Sequence, residues 1–207
     1  MDLGRPAAFI MPAGTEAVMR VLAGTDGPLG VREVSRLAGV SANRASQVLA
    51  DLAEHGVVLV EDRGTGRLCR LNRDHLAAEA LLALVGLRAR LLDLLRAEMG
   101  SWACRPVHGS LFGSAGRGDG TTASDLDLLV VRPDGRNDAE ADGWDQQIFD
   151  SGERIFAATG NRAAWFLTTP ADLRRAVQAG EPIVAKWRRD GIHLAGKHLD
   201  ALLREAV

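Results

Sequence analysis

Cysteine is scarce: only Cys69 and Cys104 occur, far apart and without a C-x-x-C companion. That excludes a disulfide scaffold and a structural zinc site, and it gives no sign of an oxidising compartment. No charge of one sign dominates, because 25 Lys+Arg stand against 27 Asp+Glu for a net charge of -2 at pH 7. Bulk attraction to nucleic acid is therefore absent, and any such contact must come from a local patch. Lysine is nearly missing, with only Lys186 and Lys197, so the basic residues are almost all arginine, whose planar fork suits phosphate and base edges. The leucine-rich stretch 75–99 is broken by Glu79 and closed at Arg88, short of the roughly 20 apolar residues that span a bilayer. The opening Met1-Asp2-Leu3-Gly4-Arg5 lacks the charged region and apolar core of a secretory signal, so a cytoplasmic protein is expected, without a membrane partner. What is present is 207 residues, 46% of them hydrophobic, which is room for one large domain or two small ones.

Residues 15 to 23, from Thr15 through Val18, Met19, Val21 and Leu22, read as a short capped helix ended by Gly24. After the Asp26-Gly27-Pro28 turn, Val34, Leu37 and Ala38 share a helical face that breaks at Gly39. Ser41 then caps a third helix, Ala42 to His55, which buries Ala45, Val48, Leu49 and Leu52 and leaves Asn43, Arg44 and Gln47 on its exposed side. Val57–Val60 and Leu68–Leu71 read as two strands joined by a Gly-containing loop. This order, over residues 14 to 73, resembles the winged helix-turn-helix regulators of bacteria. The resemblance implies double-stranded DNA as partner, with Ser41, Asn43, Arg44 and Gln47 at base edges or phosphates and Arg63 and Arg67 on the wing at the backbone or minor groove. Winged helices also serve as protein-docking modules, and a toxin or antitoxin would then be the partner. The stretch 75–100 predicts a long connecting helix, packed between domains or against a second copy in a homodimer.

The chemistry-bearing segment is 107–131. It reads as a strand, a Gly113-Ser114 turn, a short polar helix or loop, and a second strand that opens with Asp125 and Asp127. Two positions apart on a strand, these carboxylates face one way while Leu126 and Leu128 face the other. They repel unless a cation neutralises them, and hard oxygen ligands so spaced suit Mg²⁺ or Mn²⁺ held together with phosphate oxygens. Gly113 lets backbone approach a phosphate, its amide and that of Ser114 are donors, and Arg117 is near enough in sequence to pair with the same phosphates.

Phe112-Gly113-Ser114, Arg117-Gly118 and Ser124-Asp125-Leu126-Asp127 together resemble the signature of the nucleotidyltransferase superfamily, in which DNA polymerase beta, aminoglycoside nucleotidyltransferases and the minimal enzymes of toxin-antitoxin loci fall. The later Gly180-Glu181-Pro182-Ile183 and Asp190-Gly191-Ile192-His193-Leu194 look like the C-terminal helix and turn of the small bacterial members. The resemblance implies an α+β architecture: a winged helix-turn-helix (1–74), a connecting helix (75–100) and a nucleotidyltransferase-fold domain (101–207) whose small mixed sheet is flanked by helices. It further implies Asp125 and Asp127 as the catalytic and metal-holding pair, and Gly113, Ser114, Arg117 and Ser124 around a nucleoside triphosphate. The reaction implied moves a nucleoside monophosphate to a hydroxyl or phosphate acceptor.

One departure from that pattern concerns the third carboxylate that active members carry on a later strand. The matching strand here, Ala163 to Thr168, holds no acid. Asp145, Asp150 or Glu153, from a helical segment 142–154, are the candidates to replace it. A two-carboxylate site still positions a triphosphate, because phosphoryl chemistry is mostly placement and charge neutralisation. The alternative is a non-enzymatic transcriptional regulator whose transferase domain senses a nucleotide. His193 and His198 are poorly spaced for a shared metal, and Trp144, Trp165 and Trp187 read as core.

Overall fold

The computed structural model describes residues 1–64, 66–134 and 138–205, without the side chains of Arg63 and of residues 138–142. The chain divides into two compact units, Arg5–Arg88 and Met1–Gly4 with Ala89–Val207.

The first unit holds α1 (Ala13–Ala23), β1 (Leu29–Gly30), α2 (Val31–Ala38), α3 (Ala42–Glu54), β2 (Val58–Arg63), β3 (Gly66–Leu71) and α4 (Ala78–Val85). Helix α1 starts two residues before Thr15, behind Pro12, whose fixed φ of -55° sets the chain for a helix without a side-chain cap. The turn between α2 and α3 depends on Gly39, at φ +66°, a left-handed conformation that costs glycine nothing. The Ser35 carbonyl accepts from the amides of Gly39 and Val40, and the Ser35 hydroxyl donates to the Val40 carbonyl at 2.7 Å. Val18, Met19, Leu22, Val34, Val48, Leu49, Val58 and Leu71 form the core of this unit. Each such side chain contributes roughly 1.5–3 kcal/mol on burial.

Strands run in the order β1-β3-β2, all antiparallel. The hairpin departs from the sequence expectation. Glu61, Asp62 and Arg67 belong to the strands, and the register runs on to pair Arg63 with Gly66. Charged cross-strand partners continue the ladder, Asp62 and Arg67 meeting at 3.4 Å, where no hydrophobic alternation marks it in the sequence.

The leucine-rich stretch forms two helices, α4 and α5 (Leu87–Gly100), with Gly86 between them, where a single long helix was expected. Glycine is the weakest ordinary helix former. Leu81, Leu82, Leu84, Val85 and Leu87 pack on the core of the first unit. Leu91, Leu95 and Met99 are buried in the second.

That second unit continues with β4 (His108–Phe112), α6 (Gly113–Arg117), β5 (Leu126–Val131), α7 (Asp138–Thr159), β6 (Ala163–Thr168), α8 (Pro170–Gln178), α9 (Pro182–Asp190), β7 (Ile192–Gly196) and α10 (Leu199–Glu205). Its four-stranded sheet has the order β6-β5-β4-β7. β4 pairs antiparallel with β5 and β7, and β5 pairs parallel with β6 after the α7 crossover. Alternation along the strands splits the core in two. Leu111, Leu126, Leu128 and Val130 join Leu95, Met99, Trp102, Trp144 and Ile155, so α5 and α7 cover one face. Phe112, Leu129 and Val131 join Leu173, Trp187, Leu199, Leu202 and Leu203, so α8, α9 and α10 cover the other. Among the described residues no helix is long and apolar enough to cross a membrane.

Candidate functional site

β4 ends at Phe112, and the chain turns at Gly113 with φ +65° into the short α6. Phe112 lies directly across from Asp127 in the antiparallel ladder, so the Gly113 turn meets the Asp127 side chain. A β-carbon at Gly113 would overlap the Asp127 carboxylate, and glycine is the residue that fits both the φ and the space. α6 closes at Gly118, φ +81°, whose amide donates to the Ser114 carbonyl. The Asp119 amide donates to the same oxygen at 3.1 Å.

Asp125 stands one residue before β5 and is exposed, while Asp127 lies within β5 and is half-buried. Burial pushes the Asp127 carboxyl above the ordinary carboxylate range, the Asp125 charge adds to the shift, and Arg117 partly offsets it. An anion at this position is destabilised by its surroundings, which is the electrostatic demand for a bound cation.

Arg117 meets two carboxylates. Its Nη1 donates to Asp190 Oδ2 at 2.9 Å and its Nε to Asp119 Oδ2 at 3.1 Å. Asp190 is buried at the end of α9 and also accepts from Arg189 Nε at 2.7 Å. Arg189, then Arg117, hold its carboxyl down at about 2. A β-carbon on Gly116 would strike the Asp190 backbone carbonyl, so glycine there permits the close approach of α6 to α9. In the sequence Asp190 marks only a C-terminal turn. Its role rests on a contact spanning 73 positions that no local pattern reports.

Ser124 is turned into its own loop. Its Oγ accepts from the Thr121 amide at 2.9 Å, and its carbonyl accepts from Asn161 Nδ2 at 2.9 Å. The same loop is held by the start of the chain, where Leu3 is fully buried and the Gly4 amide donates to the Gly120 carbonyl at 2.7 Å. Neither contact had a signal in the sequence.

None of the three candidate third carboxylates joins the pair. Asp127 shares a sheet face with Phe112, Leu129 and Val131, whereas α7, which carries Asp145, Asp150 and Glu153, packs through Trp144 and Ile155 on the Leu126, Leu128 and Val130 face. The sheet itself stands between them. On β6 the residue opposite Asp127 is Ala164. Among the described residues, no group of three or more His, Cys, Asp and Glu is arranged to hold a metal ion.

In the first unit, Asn43 and Gln47 are exposed on α3, as expected. Ser41 is spent on the helix cap, its Oγ accepting from the Arg44 amide at 3.2 Å. Arg44 is half-buried, and its Nε lies 2.8 Å from where a β-carbon of Gly14 would stand. Its side chain thus runs along the start of α1. Arg67 is exposed on β3 and paired with Asp62, and the side chain of Arg63 lies outside the described residues.

Comparison with known proteins agrees with both halves of this description. Residues 16–62 match the family model of the IclR helix-turn-helix domain, and residues 109–182 that of the nucleotidyltransferase domain. No curated protein matches the chain. Among solved structures, a crystal structure of a mutant form of the toxin-antitoxin MntA-HpeT is similar at 16% identity and a TM-score of 0.33, covering 57% of this chain and 82% of that one. The chain thus carries an IclR-type helix-turn-helix domain followed by a nucleotidyltransferase domain.

Proposed function

We propose that the second unit binds a nucleoside triphosphate with Mg²⁺ or Mn²⁺ at Asp125 and Asp127 and transfers its nucleoside monophosphate to an acceptor hydroxyl or phosphate, while the first unit binds double-stranded DNA. The observation that carries this reading is the Asp127 carboxylate set against the Gly113 turn, half-buried and beside a second carboxylate. The donor set fits the ion. Mg²⁺ takes hard oxygen ligands, keeps several waters, and is held by one or two carboxylates together with substrate phosphates.

The bound ion would neutralise charge on the phosphates and on the departing pyrophosphate. The chain's own residues do the positioning. Gly113 brings backbone close to the phosphate chain, and the Gly113 and Ser114 amides and the Ser114 hydroxyl are the donors offered to its oxygens. Arg117, anchored on Asp119 and Asp190, supplies positive charge beside Asp127. Ser124 shapes the loop that delivers Asp125. In the first unit, Asn43 and Gln47 present amide groups that match adenine edges in a major groove.

An α-labelled nucleoside triphosphate incubated with protein, divalent cation and a cell extract tests the transfer. Label is expected on an acceptor with the intact chain and on none with Asp125→Ala/Asp127→Ala. Label transferred equally by the double variant would overturn the assignment.

A second reading is favoured by the placement of the acids of α7 on the far face of the sheet. With two carboxylates at the site, the domain would hold a nucleotide without turning it over, and binding would alter the DNA affinity of the first unit. Such coupling is reciprocal. DNA affinity unchanged by saturating nucleotide would dispose of it.

A further inference from the structure

In the sheet of the second unit, β6 is an edge strand, hydrogen-bonded to β5. The Leu126 amide donates to the Arg162 carbonyl and the Arg132 amide to the Thr168 carbonyl, both at 2.8 Å. Backbone groups alternate in direction along a strand. Arg162, Ala164, Phe166 and Thr168 therefore turn theirs to β5, and Ala163, Trp165 and Leu167 turn theirs outward. Natural edges are blunted by charge, proline or a bulge, because a bare edge is a template for another strand. β6 has neither a charged residue nor a proline, and its ladder with β5 runs without a register shift. The opposite edge differs, since the β4–β7 ladder shifts register between Gly109 and Ser110.

Helix α7 adds apolar surface beside this edge. Phe149, Gly152 and Phe156 are spaced three and four apart and share one helical stripe. A β-carbon on Gly152 would stand 3.5 Å from Trp165 Nε1, which places the middle of the stripe beside the middle of β6. The Arg162 guanidinium lies 5.3 Å from the Phe156 ring centroid, at the start of the strand. Phe149 is 65% exposed, Phe156 42%, Phe166 40% and Leu167 36%. At roughly 200 Å² for a whole aromatic side chain, these residues leave on the order of 300 Å² of apolar surface open per copy. Across two copies that is about 600 Å² before the backbone of β6 and the rest of α7 are added, against the roughly 1,000 Å² total that marks a specific interface.

We propose that β6 is a dimerisation edge, through which two copies of this chain pair antiparallel about a two-fold axis at Trp165 and join their sheets. The backbone sets the register. With Trp165 opposite Trp165 of the second copy, Ala163 meets Leu167 and Ala164 meets Phe166, and the outward backbone groups of Ala163, Trp165 and Leu167 all exchange hydrogen bonds with the other strand. Beside the central tryptophans, each large side chain is then set against a small one on both faces of the sheet, as a self-complementary contact requires. An axis at Ala164 would set that residue against itself and leave Leu167 without a strand partner. An axis at Phe166 would oppose two phenylalanines and leave Ala163 without one. The edge carries no charge that calls for a partner of opposite sign, and the same apolar stripe of α7 flanks it in both copies. A second copy is thus the occupant that fits. Pairing also extends the sheet face that carries Asp127, because Phe166 of the second copy comes beside Ala164, the residue opposite Asp127.

Sedimentation equilibrium of the full-length chain across the micromolar range tests the association, and cysteine cross-linking tests the register. A dimer is expected for the parent. Leu167→Lys, which puts a charge on the edge, and Phe149→Ser/Phe156→Ser, which strips the stripe, should each weaken it by about tenfold or more. These side chains are exposed, so near-ultraviolet circular dichroism should match the parent. In a Cys104→Ser background, oxidation should join Ala163→Cys/Leu167→Cys into a covalent dimer, because residues so opposed stand about 5.5 Å apart between α-carbons, within disulfide reach. Neither single cysteine variant should cross-link. A parent that stays monomeric throughout overturns the proposal. So does a dimer that both sets of surface variants leave intact, which would place the contact elsewhere, and so does a dimer in which the paired cysteines fail to join.

Discussion

Gly113→Ala isolates what the carboxylate site requires of its turn. Two costs are expected. Alanine at φ +65° pays about 1–2 kcal/mol for the left-handed conformation. Its methyl also takes the space of the Asp127 carboxylate, which must rotate away from its preferred geometry at about 0.5–1.5 kcal/mol. Gly180 provides the control, since it shares φ +65° and has nothing within 4 Å of a β-carbon. Gly180→Ala should therefore lose about 1–2 kcal/mol and Gly113→Ala about 1.5–3.5 kcal/mol. The readout is denaturant unfolding by intrinsic fluorescence, which reports the second unit alone because Trp102, Trp144, Trp165 and Trp187 all lie there and tyrosine is absent. Nucleotide binding should be lost in Gly113→Ala and retained in Gly180→Ala. Equal stability in the two variants, with Mn²⁺-nucleotide binding intact in Gly113→Ala, would refute the reasoning.

Other consequences follow from particular groups. His108 is 1% exposed and burial pushes its pKa down to about 4, so the unfolded chain binds a proton that the folded chain refuses. Stability should fall as pH drops from about 6.5 to 4, by up to about 3 kcal/mol, and His108→Gln should flatten that part of the profile in fluorescence-detected unfolding. Asp127 has the opposite sign for a carboxylate: its raised pKa makes the folded chain bind the extra proton, so stability falls as pH rises through its titration, starting near 3.8. Asp127→Asn should then be more stable than the parent at neutral pH in the same assay, while losing Mn²⁺ binding. In the first unit, Ser41→Ala should cost about 1 kcal/mol in thermal unfolding followed by circular dichroism, through loss of the α3 cap. Gln47→Ala should leave that unfolding unchanged and weaken specific DNA binding by about 1–3 kcal/mol in a gel-shift titration.

Local physics explains which parts were legible in the sequence. Gly39 and Ser41 mark the turn and the third helix because a left-handed glycine and a capping hydroxyl act within four residues of themselves. The Gly113-Ser114 turn and the Asp125/Asp127 alternation were legible for the same reason, and strand pairing then brings Asp127 onto Gly113. What escaped depends on tertiary placement. Which face α7 covers is decided by packing of Trp144 and Ile155, which no local spacing around Asp145, Asp150 and Glu153 reports. The contacts of Asp190 and of the Leu3–Gly4 start arise from segments brought together by the fold. Arg44 looked exposed by helical spacing, yet its long side chain lies along α1. The wing strands run further than their apolar residues because charge pairs extend the ladder.

The central claim is that Asp125 and Asp127 together hold a metal-bound nucleotide against the Gly113 turn. Titration of Mn²⁺ with a nucleoside triphosphate, followed by electron paramagnetic resonance, tests it most directly. The account predicts a protein-dependent loss of the free-ion signal with the intact chain and none with Asp125→Ala/Asp127→Ala. Equal binding by the two proteins would contradict it.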